Sequence, residues 1–185
     1  MIKGYSSLLR YIITESHKSG IRLEVYILET RPKCDGYLMY KELQKQGVKC
    51  KVVLDSSVGI VLEKVDYVLT GAELVTENGG IINRLGTYSL ALCAKALEKP
   101  LYVIAENFKF SRIFPLSQND LPLEALENDQ LNMCDNVWQF KDKDLETICP
   151  KCDLTPSNLI SFIVSDSRIF KPTAISDEML QLFNL

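Results

Sequence analysis

The chain has 185 residues, 46% of them hydrophobic and 24% charged, with a formal net charge of −3. That length suits one domain with a sizeable core, and that composition excludes a disordered chain. The balance of 21 basic and 24 acidic residues excludes a global attraction to nucleic acid or an anionic membrane. No apolar run approaches the roughly 18 residues that a membrane helix needs.

The opening residues, MIKGYSSLLRYIITES, lack the order of a secretion signal, and Glu15 and Lys18 lie close behind, so a cytoplasmic protein is expected. Leu8, Leu9, Ile12 and Ile13 fall at helical spacing and predict a helix over 5–18, stopped by Gly20. RLEVYILE, 22–29, reads as a buried strand broken by Arg31-Pro32. A helix over 36–46 ends at Gly47, and VKCKVVL, 48–54, reads as a second strand. A short helix follows Asp55 and Ser56, and DYVLTG, 66–71, is a third strand. TYSLALCAKALEK, 87–99, is an amphipathic helix, and PLYVIAE, 100–106, a fourth strand.

Residues 115–150, with Pro115, Pro122, Asn119, Asn128, Asn132 and Asn136, read as an irregular excursion. LISFIVSD, 159–166, predicts a last strand and ISDEMLQLF, 175–183, a closing helix with Ser176 as its N-cap. The alternation predicts a single Rossmann-like α/β domain over 1–185, a three-layer sandwich with a mainly parallel sheet. Ligand groups in such sheets gather at the carboxyl ends of the strands. The apolar residues Ile169, Phe170, Leu180, Leu182 and Phe183 either cover the sheet or form an interface.

The cysteines are Cys34, Cys50, Cys93, Cys134, Cys149 and Cys152, and only the last two form a close pair. With His17 as the one histidine, set in the polar stretch HKSG, no metal site and no cofactor are expected. The densest polar stretch is GAELVTENGGIINRLGTYSLALCAKA, 71–96, read as a strand end, a Gly-rich loop and a helix. Gly71, Gly79, Gly80 and Gly86 allow close approach of a ligand or another chain. The helix starting after Gly86-Thr87 offers amides to an anion. A Gly-rich loop equally suits a plain connection, so the residues alone leave both readings open.

ENGGIIN followed by LGT, AENFKFSRIFPL at 105–116, DLTPSNLISFIVSD and PTAISDEMLQLF near the end, and YSSLLRYI and ETRP near the start together resemble a known family. It unites the alpha, beta and delta subunits of translation initiation factor 2B with methylthioribose-1-phosphate and ribose-1,5-bisphosphate isomerases. The alpha-subunit branch is the most similar, and the likeness is weakest over about 117–150. The resemblance implies that the chain corresponds to the family's second domain, without the N-terminal helical region.

It also implies a function in translation. An alpha subunit dimerises through this domain, joins the other factor 2B subunits, and helps sense initiation factor 2 phosphorylated on its own alpha subunit. The alternative is an aldose-ketose isomerase of sugar phosphates. Against it, Glu73 stands where the isomerases have an aspartate, and a carboxylate displaced by about an ångström costs on the order of 100-fold in a positioned reaction. No cysteine occurs at 1–4, and Asp35 replaces a glutamine. No catalytic residue is therefore expected. The resemblance implies instead a vestigial pocket lined by Glu73, Asn83 and Arg84, the last replacing a lysine, with Gly4, Tyr5 and Ser6 at the start of the first helix. A sugar phosphate or nucleoside monophosphate is its expected ligand.

Overall fold

The computed structural model describes residues 1–122 and 148–182, with no side-chain description for 181 and 182. Asn128, Asn132, Asn136, Cys134 and Phe183 thus lie outside the described residues, as does the side chain of Leu182. Strand β1 (Ile2–Lys3) leads into helix α1 (Ser7–Lys18), then β2 (Glu24–Leu28), α2 (Gly36–Lys45) and β3 (Lys49–Val53). A 3-10 turn at Asp55–Ser57 precedes α3 (Val58–Leu62) and β4 (Val68–Thr70). Next come β5 (Leu74–Thr76), β6 (Ile81–Arg84), α4 (Thr87–Ala96), β7 (Leu101–Ile104) and β8 (Phe110–Ser111). After the second described stretch begins, β9 (Cys152–Thr155), β10 (Phe162–Val164), β11 (Ile169–Phe170) and α5 (Ile175–Leu182) complete the order.

Seven strands form one sheet in the order β11-β10-β7-β4-β1-β2-β3. All its pairings are parallel except β10 with β11. The chain is therefore an α/β protein with a mainly parallel sheet, as the alternation predicts. Alternate side chains build the layers: Val25 and Ile27 of β2 pack on one face with Leu9 and Ile13 of α1 and Met39 and Leu43 of α2. On the other face, Leu101 and Val103 of β7 meet Leu62 of α3, Leu90 and Ala94 of α4 and Met179 of α5.

Three departures from the sequence reading have local causes. The stretch read as a Gly-rich loop holds a hairpin, β5 with β6, inside a second sheet ordered β8-β5-β6-β9. Its strands are too short to show a period. The first helix starts at Ser7 rather than at 5, because Ser6 is extended and its Oγ accepts the Leu9 N–H at 3.3 Å. Ser176 lies inside α5 rather than capping it, and its hydroxyl donates to the Glu77 carbonyl at 2.7 Å. The described part of the expected excursion is also tied down: Leu121 is buried with Ile82 and Leu154 against the second sheet. Of the C-terminal apolar residues, Phe170 is buried against Phe110, at 6.2 Å between ring centroids, while Ile169 and Leu180 stay exposed.

Leu9 is fully buried whereas Tyr11, on the same helix, is 61% exposed. Leu9→Ala is expected to cost about 2–5 kcal/mol in urea unfolding. Tyr11→Ala should stay within about 0.5 kcal/mol of the parent. Equal costs would show that α1 is not seated as described.

Candidate functional site

The carboxyl ends of β1 and β4 and the start of α1 enclose a polar cavity of about 220 Å³. Gly4, Tyr5, Ser6, Glu73, Asn83 and Arg84 all line it, together with Lys3, Thr30 and Lys109. Gly4 has φ +61°, and a Cβ there would sit 2.7 Å from Asp35 Oδ1, so a side chain at this position would strain the backbone and push the Asp35 carboxylate aside. The Tyr5 N–H donates to that oxygen at 3.3 Å, and Arg84 Nη1 donates to Asp35 Oδ2 at 3.0 Å. Arg84 Nε lies 3.5 Å from Glu73 Oε1. The guanidinium thus sits between two carboxylates carried by different elements. Asp35, which by the resemblance stands in place of a glutamine, joins the start of α1 to Arg84.

Asn83 turns the other way. Its Nδ2 donates to Thr70 Oγ1 at 3.2 Å and to Thr87 Oγ1 at 3.1 Å, linking the end of β4 to the start of α4. The ETRP turn beside the cavity is held by Asp55, whose carboxylate accepts the Thr30 and Arg31 N–H groups at 3.0 and 2.7 Å. That grip fixes Thr30 at φ +62°.

The amides expected to face an anion after Gly86 already have one. The Asp153 carboxylate on β9 accepts the Gly86 N–H at 2.6 Å and the Tyr88 N–H at 3.1 Å. Gly86 has φ +93° at that turn. The expectation of an outside anion there is therefore corrected: a side chain of the protein fills the place.

Two charged groups escaped the sequence reading. Lys3 is buried, and its Nζ donates to the Arg84 carbonyl at 3.1 Å. Burial pushes its ammonium below the usual lysine range, partly offset by Asp153, Asp55 and Asp35. A two-residue strand shows no period, so nothing marked Lys3 as inward-facing. Asp153, also buried, follows the stretch read as irregular, and its partners lie 65 and 67 residues away.

Among the described residues no group of three or more His, Cys, Asp or Glu side chains is arranged to hold a metal. The described cysteines are thiols, not disulfides. Cys152, paired across β9 with Arg84, is held up in pKa first by burial and then by Glu73 and Asp153. No described helix is long and apolar enough to cross a membrane.

The profile of the "Initiation factor 2 subunit family" matches residues 1–172. The "Translation initiation factor eIF2B subunit alpha" of Dictyostelium discoideum is 36% identical over 188 residues, covering 99% of this chain and 58% of the relative. The "Methylthioribose-1-phosphate isomerase 2" of Pseudothermotoga lettingae is 32% identical over 164 residues, covering 87% of this chain and 47% of the relative. The crystal structure of the initiation factor eIF-2B subunit delta from A. fulgidus shares the fold with a TM-score of 0.85 at 23% identity, covering 100% of this chain and 56% of that one. The chain thus spans about half the length of these relatives.

Asp153 gives the site a pH signature. Burial pushes its carboxyl from 3.8 up to about 6, against the pull of the Tyr88 and Gly86 amides and of Lys3. The folded state therefore holds the proton more tightly than the unfolded chain. The contribution of this group is full below 3.8 and is lost as pH rises through about 6. Asp153→Asn is expected to flatten the fall in Tm between about pH 4 and about pH 7. An unchanged slope would show that the carboxyl does not titrate in that window.

Proposed function

This chain belongs to the Initiation factor 2 subunit family, and from that membership we propose that it acts as one domain in a regulatory and assembly subunit of the guanine nucleotide exchange factor for translation initiation factor 2. The observation that carries the reading is the 36% identity to an eIF2B alpha subunit across 99% of the chain. In this reading the chain forms a homodimer, joins the other factor 2B subunits in the cytoplasm, and engages initiation factor 2 phosphorylated on its alpha subunit. Exposed apolar side chains support the assembly role. Phe108, Phe114 and Leu116 are 80%, 59% and 81% exposed within a segment that resembles the alpha subunits. Folding of this chain alone leaves them wet.

The same reading makes the site non-catalytic. Among the described residues no cysteine or histidine lines the cavity, and its acid, Glu73, is engaged by Arg84. Among the described residues no hydrogen-bonded nucleophile-base pair lines it. The competing reading, a sugar-phosphate isomerase, draws on the 32% identity to a methylthioribose-1-phosphate isomerase. The cavity itself supports a ligand role without turnover. Its roughly 220 Å³, small for a ligand pocket, suits a sugar phosphate better than a nucleoside monophosphate, either one held as a regulator.

Two measurements test these statements. The chain is expected to retain other factor 2B subunits on co-purification and to show no conversion of methylthioribose-1-phosphate or ribose-1,5-bisphosphate. Turnover of either would make it an enzyme. In light scattering the parent is expected at the mass of a dimer, and the Phe108→Glu/Leu116→Glu double variant at that of a monomer with unchanged thermal stability. A parent monomer, or a double variant still dimeric, removes this surface from the assembly.

A further inference from the structure

We propose that Lys3, rather than Arg84, is the cation that anchors an anionic ligand in the cavity at the carboxyl ends of the strands. The inference rests on the reading of that cavity as a ligand site. Three cations line it: Lys3, Arg84 and Lys109. Arg84 already faces Asp35 at 3.0 Å and Glu73 at 3.5 Å, two negative charges against its one. Lys109 is 3.3 Å from Glu106. Lys3 alone of the three has no ion pair among the described residues. Its ammonium makes one hydrogen bond there, to the Arg84 carbonyl at 3.1 Å, although it carries three donors.

Lys3 as a residue is only 8% exposed, so water has little access with which to replace the missing partners. Asp153 on β9, Asp55 after β3 and Asp35 before α2 draw it toward the charged form from a distance, Arg84 on β6 opposes them, and burial outweighs the sum. The side chain is also confined. Its Cε lies 3.3 Å from where a Cβ on Gly86 would be, so the glycine turn before α4 leaves just enough room for it. A buried lysine held in place, short of acceptors and short of a counter-charge, lacks what a phosphate monoester brings: a dianion with several acceptor oxygens. A bound dianion favours the charged ammonium over the free amine, so proton uptake on binding marks this lysine. Arginine does not titrate, so Arg84 leaves no such mark.

The test is calorimetric titration of the full chain with ribose 5-phosphate and, separately, inorganic phosphate, in buffers of unlike ionisation heat, at about pH 7 and about pH 9. Ribose 5-phosphate is expected to bind with proton uptake at one or both of these pH values. Lys3→Met is expected to lose at least about tenfold in affinity together with the uptake. Lys3→Arg should bind with no uptake, and Arg84→Ala should weaken binding, through the carboxylates it releases, while keeping the uptake. Uptake with both ligands supports Lys3 and assigns recognition to the phosphate alone; uptake with the sugar phosphate alone supports Lys3 and adds sugar contacts. Equal binding by the parent and Lys3→Met, without uptake, overturns the assignment and leaves the ligand site standing. No binding of either ligand by the parent removes both. Should the variants fail to fold, the Lys3 13Cε resonance of the parent decides. Its titration is expected to move to higher pH under saturating ribose 5-phosphate, and an unmoved titration overturns the proposal.

Discussion

The Asp153 carboxylate closes the amino end of α4, and the geometry of the site follows from that one cap. An exposed helix start carries unpaired N–H groups that water can serve, but this one is buried under the second sheet. Asp153 supplies the acceptor from β9, so the second sheet is fastened to the helix that covers the first. The same strand fixes β6, with Asn83 opposite Asp153 and Arg84 opposite Cys152. A slip of one residue along that ladder would exchange the facings of Asn83 and Arg84. The polar wall of the cavity therefore depends on a register set by a cap.

The cavity combines charges that nearly cancel. Arg84 sits between Asp35 and Glu73, Lys109 beside Glu106, and Lys3 beneath them. Paired charges in a half-buried cleft tie elements together more than they add stability, because each desolvated ion surrenders hydration on the way in. Asp35 illustrates the economy of the arrangement. One carboxylate steadies the start of α1, turns Arg84 across the cavity and occupies the space a side chain at residue 4 would need.

The sequence makes the large sheet readable because β2 and β7 are largely apolar runs, β3 alternates exposed lysines with inward-facing residues, and each is followed or preceded by a helix of recognisable period. It conceals the second sheet, whose strands run two to four residues and carry no period of their own. Family likeness and the rule that ligands sit at strand carboxyl ends bring Gly4, Tyr5, Ser6, Glu73, Asn83 and Arg84 to one cavity. The same reasoning passes over Lys3 and Asp153, whose roles exist only through partners 65 to 81 residues away. The Ser176 hydroxyl is a smaller case of the same kind. Its residue type suits a cap, but a carbonyl 99 residues distant takes the hydrogen bond instead.

The borders of the seven-stranded sheet differ from its middle. At one border, β3 carries Lys49 and Lys51, both engaged by Glu24 of β2 at 3.3 and 2.8 Å, with Lys51 also over the Tyr26 ring. At the other, β11 is two residues long and antiparallel to its neighbour. Charged lysines and a truncated strand are both poor templates for a further strand. Growth of the sheet from one molecule into the next is thereby discouraged, which protects a protein with so much β-structure from stacking edge to edge into aggregates. Contact with other chains is left to helices, loops and sheet faces.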